Sequence, residues 1–237
     1  MLKRFVLKLA GMGDPGSART RAAVRFKRWL LGSDQALYRR YAASTPVARL
    51  HIGGGPRLLE GWLNTDLESS SGVMAMDATR AFPFADGSFA FLFSEHMIEH
   101  VPYEGGVSMV QECYRVLQPG GVIRLVTPDL KALASLYASP LGEIEKGYLD
   151  WFCAELLFPD RLITPAQVLN AHFHLWGHQF LYDEETLRDL LANAGFHDIR
   201  RCDLMQSEHP ELLGLENTSR YPEGFLAFES LALEARK

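Results

Sequence analysis

The feature that most limits the fold begins at residue 47. From there, short apolar runs closed by glycine or a polar residue alternate with stretches at helical spacing. That alternation favours an α/β architecture built on parallel strands. Residues 47–52 read as a first strand, closed by Gly53, Gly54, Gly55 and Pro56. Residues 62–67 form a second, with Asp66 near its end, and residues 73–76 a third, which stops at Asp77. Residues 89–94 (FAFLFS) are almost wholly apolar, as a strand covered on both faces should be. Residues 106–117 read as an amphipathic helix, 118–121 as a turn, 122–127 as a fifth strand and 130–137 as a helix. After an interruption at 139–181, with helical character near 144–157, residues 183–194 form a helix capped by Asp183 and stopped by Gly195. Residues 197–205 and 224–233 read as the last two strands.

In an open α/β sheet, ligands bind outside the carboxyl ends of the strands. Four strand ends here present a suitable set. The glycines at 53–55 let a ligand approach the backbone closely. Asp66 can accept hydrogen bonds from ribose hydroxyls, and Asp77 can accept from an adenine amino group. Ser94, Glu95 and His96 close the fourth strand and face the same crevice.

Charge divides the chain. Residues 1–45 carry ten Lys and Arg against Asp14 and Asp34, whereas the rest holds 14 basic and 27 acidic side chains. A basic arm on an acidic body suits self-contact or an anionic partner. The arm reads as two or three short helices: an apolar face of Leu2, Phe5, Val6 and Leu9, a second helix from Ser17 through Leu31, and a third capped by Asp34 and carrying Leu37, Tyr38 and Tyr41. Residues 1–31 could lie on a membrane surface. No stretch reaches 18 uncharged apolar residues, which argues against a span. The apolar start is broken by Lys8 and is not read as a signal peptide. Cys113, Cys153 and Cys202 are far apart and fit free thiols in a cytoplasmic protein.

The segments LHIGGGPRLLEGWLNTDL, DATRAFPFADGSFAFLFSEHMIEHVP and ECYRVLQPGGVIRLVTPDL resemble the successive motifs of class I S-adenosylmethionine-dependent methyltransferases, closest to the type 11 methyltransferase domain. The likeness runs over residues 47–130, and more loosely over 172–200. It implies a Rossmann-like, mostly parallel seven-stranded sheet with helices on both faces and a final antiparallel strand. Here that sheet, within residues 46–237, would follow the helical arm of residues 1–45 and carry an acceptor-recognition insertion at 139–181. It implies S-adenosylmethionine as cofactor. Gly53, Gly54 and Gly55 would line its methionine part, Asp66 and Leu67 would lie at the ribose, and Asp77 and Ala78 at the adenine. Ser94 and Glu95 would stand near the reacting centre. Three positions depart from the pattern: His51 replaces an acidic residue, Ala90 replaces an Asp, and the gap between Gly55 and Asp66 leaves room only for an abbreviated first helix. The competing dehydrogenase reading lacks its third glycine, because Leu58 stands there. A third possibility is a cofactor-binding module without catalysis.

The expected acceptor is a small molecule, a saccharide or a lipid-linked precursor, methylated on O or N. The acidic body disfavours nucleic acid. A hydroxyl acceptor needs a base, for which His96 is the first candidate. Tyr103, His174, Trp176 and His178 are candidate acceptor contacts. Residues 96–100 (HMIEH) match a zinc-peptidase pattern, but the match falls inside the methyltransferase resemblance. The cluster of His172, His174 and His178 is open to metal binding, base chemistry or packing. The reading assigns no metal. It leaves the oligomeric state open.

Overall fold

The computed structural model describes residues 33–68, 71–138, 140–152, 154 and 164–237. The expected first and second helices of the basic arm lie outside them. Seven strands form one sheet in the order β3-β2-β1-β4-β5-β7-β6. They are β1 (Arg49–Ile52), β2 (Leu63–Asp66), β3 (Val73–Ala75), β4 (Phe89–Glu95), β5 (Leu117–Pro128), β6 (His197–Cys202) and β7 (Ser230–Arg236). The first five strands pair in parallel, and β7 runs antiparallel to both β5 and β6. The sheet is therefore the Rossmann-like arrangement of class I methyltransferases. Strand order reverses between β1 and β4, which opens a crevice at their carboxyl ends.

Strand side chains alternate between the two faces, with period two. Leu92, Leu125 and Leu233 face one core together with Met109, Val110 and Cys113 of α2 (Tyr103–Val116) and Leu187, Leu190 and Leu191 of α6 (Glu184–Asn193). Their neighbours Phe93, Val126 and Ala232 face a second core, closed by Trp62 and Leu212. Helix α1 (Ser33–Ser44) lays Leu37, Tyr38 and Tyr41 on the first core. Asp34 lies inside its first turn, and its carboxylate accepts the Ala75 amide at 3.4 Å.

Some segments differ from expectation. Between β1 and β2 there is no helix at all, only turns. The expected turn at 118–121 belongs to β5, which starts at Leu117 and bulges against Phe89. Residues 224–229 are not strand: Gly224 at φ 82° starts a short helix, α7 (Phe225–Glu229), before β7 begins. An apolar run of five residues fits either element, and packing of Phe225 and Phe228 decides it. Those rings join a third apolar cluster with α3 (Leu130–Ala134), α4 (Glu143–Phe152) and α5 (Pro165–His174), centred on Leu133, Tyr148, Phe152 and Val168. This cluster stands beside the carboxyl end of the sheet. Asp183 caps α6 by accepting the Thr186 amide at 2.9 Å, and Gly195 follows that helix at φ 105°.

The described residues include no helix long and apolar enough to cross a membrane.

Candidate active site

The glycine corner follows directly from backbone needs. Gly53 (φ 69°) and Gly55 (φ 57°) adopt a left-handed conformation costly for other residues. Gly54 is required for a different reason: a Cβ there would meet the His51 ring at 2.3 Å. The amides of Gly53 and Gly54 donate to the Thr65 carbonyl at 2.9 and 3.2 Å, which ties the corner to β2. Asp66 accepts the Gly55 amide at 2.8 Å through Oδ2 and the Glu68 amide at 2.8 Å through Oδ1. Each oxygen keeps a second lone pair for a ligand.

His51 is buried beneath this corner. Asn64 Nδ2 donates to the carbonyls of Leu59 and Trp62, so its Oδ1 faces His51 Nδ1 at 2.9 Å. Nδ1 therefore carries the proton, and the Nε2 lone pair remains. Burial pushes the His51 pKa down to about 4, against the opposing Asn64 hydrogen bond.

His51 and the three glycines line a cleft of about 740 Å³, within the size range of small-molecule sites. Its far wall comes from α4, from the end of α5 and from the segments around 176–178 and 217–221, through Trp151, Trp176, Asn217 and Tyr221. His96, Glu99, His100, His178 and Glu229 also face it.

His96 sits at the end of β4 with φ 48°, an uncommon conformation for a non-glycine residue. Its Nδ1 donates to Glu99 Oε1 at 3.2 Å, and its Nε2 faces Ser230 Oγ at 3.2 Å. Glu99 is fully buried and also accepts Thr127 Oγ1 at 3.0 Å. Burial alone would raise the Glu99 pKa, but the His96 hydrogen bond and charge hold it near 2. Burial works against a charged His96. The Glu99 hydrogen bond and the charges of Glu99, Glu229 and Glu95 outweigh it and raise its pKa. Deeper in the wall, the buried Glu229 accepts the Tyr148 hydroxyl and lies 3.6 Å from His172 Nε2.

Several expected contacts are placed elsewhere. Asp77 folds back on Thr79, accepting its amide at 3.1 Å and its hydroxyl at 2.7 Å, and meets Arg80 at 3.3 Å. Asp66, Leu67, Asp77 and Ala78 lie off the 740 Å³ cleft; Leu67 is exposed and Ala78 is buried. Ser94 is buried and donates to the Ile52 carbonyl at 3.1 Å. Glu95 lines the cleft, but its oxygens are taken by Arg57 at 2.9 Å and the Asn217 amide at 2.7 Å. Tyr103 packs at a tilt against Phe180 and Tyr182 beside the first core and does not line the cleft. His174 ends α5 on the exposed surface, away from the cleft, whereas Trp176 and His178 line it. Neither a helix nor a strand continues past His174: Trp176 (φ 57°) and Gly177 (φ 81°) turn the chain and bring His178 Nδ1 to the His172 carbonyl at 2.7 Å.

Sequence reasoning missed Arg57, Trp151, Asn217, Tyr221 and Glu229. For Glu229 a signal existed: it is the one charged residue in the mostly apolar run FLAFESLAL.

Over 92% of the chain the fold aligns with a SAM-dependent methyltransferase from Archaeoglobus fulgidus, covering 94% of that chain at 15% identity and TM-score 0.47. A possible histamine N-methyltransferase from Thermotoga maritima aligns over 92% of this chain and 97% of that one, at 17% identity and TM-score 0.45. An S-adenosylmethionine-dependent methyltransferase from Mesorhizobium loti covers 81% and 92%, at 16% and 0.48. No curated protein sequence matches the chain. A family model described as a methyltransferase domain matches residues 60–125, from just before β2 into β5. The chain carries a methyltransferase domain. Its 3-2-1-4-5-7-6 sheet is the fold expected of a class I S-adenosylmethionine-dependent methyltransferase. At the glycine corner, a Cβ on Gly55 would meet nothing within 4 Å, so the backbone there stands open to a ligand.

Proposed function

We propose that the enzyme methylates a hydroxyl oxygen of a small-molecule, saccharide or lipid-linked acceptor, with His96 as the base. The observation that carries this reading is the buried His96–Glu99 pair on the cleft wall, with the second ring nitrogen, Nε2, against the Ser230 hydroxyl. S-adenosylmethionine, when bound, supplies an electrophilic methyl group on a sulfonium. Gly53, Gly54 and Gly55 would leave room for its methionine part, and Asp66 would accept its ribose hydroxyls. His51 replaces the family's acidic residue as a neutral acceptor: its Nε2 lone pair can take one hydrogen bond from the ligand's ammonium group. Asp77 and Ala78 remain the adenine candidates, reached by unfolding the Asp77–Thr79 contact.

Glu99 fixes the His96 tautomer by accepting the hydrogen bond from Nδ1–H, which leaves Nε2 as the basic nitrogen. An acceptor hydroxyl would replace Ser230 Oγ there and pass its proton to Nε2 as its oxygen forms the new C–O bond. The C–S electron pair leaves with the sulfur. Trp151, Trp176 and Tyr221 would exclude water and hold the acceptor in line. In this reading residues 139–181 form the acceptor-recognition insertion on a methyltransferase unit spanning 46–237, because they supply Trp151, Trp176 and His178.

The test is release of S-adenosylhomocysteine from S-adenosylmethionine over a panel of monosaccharides, nucleotide sugars and primary amines. Hydroxyl acceptors are expected to support turnover. His96→Ala should lower it by roughly 10²–10⁴-fold, the usual range for a general base, while S-adenosylhomocysteine affinity by calorimetry stays unchanged. Transfer to amines alone, or equal turnover in the variant, refutes the assignment.

A further inference from the structure

Two histidine-bearing motifs that look unrelated in the sequence meet in this cleft. Residues 96–100 supply Glu99 and His100, and the turn after α5 supplies His178. One ligand atom from each of these three lies within 4.8 Å of the other two. The rings of His100 and His178 stand edge to face at 4.8 Å.

Four further observations give the cluster the character of a site. His178 Nδ1 donates to the His172 carbonyl at 2.7 Å, so its Nε2 presents a lone pair; metal-ligating histidines are commonly oriented this way. His100 Nδ1 is buried and has no hydrogen-bond partner among the described residues. Glu99 is fixed by Thr127 and His96, which leaves one lone pair on each oxygen. The two segments are latched together by their backbones: the amides of Gln179 and Phe180 donate to the Glu99 carbonyl at 2.7 and 3.2 Å, and Gln179 Nε2 donates to the His100 carbonyl at 2.7 Å.

We propose that Glu99, His100 and His178 form a binding site for a divalent transition-metal ion, facing the acceptor cleft. Two imidazoles and a carboxylate on one side of an ion leave its other positions open. Ligand distances of about 2.0–2.2 Å require the three atoms to draw together to roughly 3–3.4 Å, a rotation of about 1 Å at each side-chain tip. All three residues line the cleft, so the open positions point to where the acceptor would lie. An acceptor oxygen bound there would be both oriented and made more acidic. The site deepens the hydroxyl-acceptor reading and rests on it for the acceptor's place; metal binding itself stands apart from it. It also revises the expectation of no metal, which treated the two motifs separately.

The test uses the full chain, stripped with a chelator and titrated with Co²⁺ by visible ligand-field absorption and with Zn²⁺ by calorimetry. One ion per chain is expected. His178→Ala and His100→Ala should each weaken Zn²⁺ binding by about tenfold or more. His174→Ala, on the exposed surface of the same segment, should leave it unchanged. His178→Gln serves if the alanine variant melts early. No stoichiometric binding, or equal binding by the His178 and His100 variants, overturns the site. A parallel titration of the stripped protein with S-adenosylhomocysteine separates the two readings: cofactor binding without metal binding removes only the metal site.

Discussion

Arg124 offers the sharpest test of how the sheet holds the cleft wall. It lies in the middle of β5 and is fully buried. Its guanidinium reaches Glu216 at 2.6 Å, Glu234 at 2.7 Å and the carbonyls of Gln206 and Asp203 at 2.9 and 3.0 Å. These contacts bind β5 and β7 to the long segment after β6, which leads into Asn217 and the cleft wall. Arg124→Met removes the cation that pairs with two carboxylates, one fully buried and one nearly so. Breaking a buried ion pair in this way costs about 3–5 kcal/mol. For a chain of this size that is a fall in Tm of roughly 6–20 °C. Urea unfolding followed by far-ultraviolet circular dichroism reads the loss directly. Replacing all three charges together (Arg124→Met, Glu216→Leu, Glu234→Leu) should recover part of it. A residue of about 1–3 kcal/mol should persist, because Glu216 Oε2 also accepts the Met205 amide at 2.9 Å. A loss below about 1 kcal/mol for Arg124→Met, the range of an exposed pair, would refute the reasoning.

Two other outcomes are expected. Asp66→Ala should raise the S-adenosylmethionine dissociation constant at least about tenfold, since each hydrogen bond to a charged acceptor contributes about 1.5–3 kcal/mol; unchanged affinity by calorimetry removes Asp66 from the site. The His51 pKa is lowered on folding to about 4, so its contribution to stability is complete above the unfolded value of 6.5 and is lost as pH falls towards 4. His51→Gln should therefore reduce the difference in unfolding free energy between pH 7 and pH 4 by about 3 kcal/mol, and parallel pH curves for the two proteins would contradict this.

Much of the fold was legible because strands end where the pattern breaks. The glycine corner, Asp66 and the apolar β4 each announce a strand terminus, and the Asp183 cap and Gly195 stop bracket α6 by simple chemistry. The site was less legible, because its side chains are brought together by backbone conformations that sequence spacing hides. Trp176 and Gly177 in the left-handed region place His178 beside His100, some eighty residues away, while turning His174 outward. Tyr103 reads as a pocket aromatic, yet its place on the first turn of α2 sends it against the core beside Tyr182. Asp77 reads as a ligand contact, yet a threonine two residues on satisfies it locally.

The latch between residues 179–180 and the Glu99 carbonyl has a mechanical consequence. A lid that opens for each turnover must break few bonds, and this segment would have to shed main-chain bonds at the very edge of the sheet. The rear of the chamber therefore travels with the sheet as one body. The segment that carries Asn217, Arg220 and Tyr221 along the cleft is instead joined to the β4 terminus through a side chain, the Glu95 carboxylate that accepts the Asn217 amide.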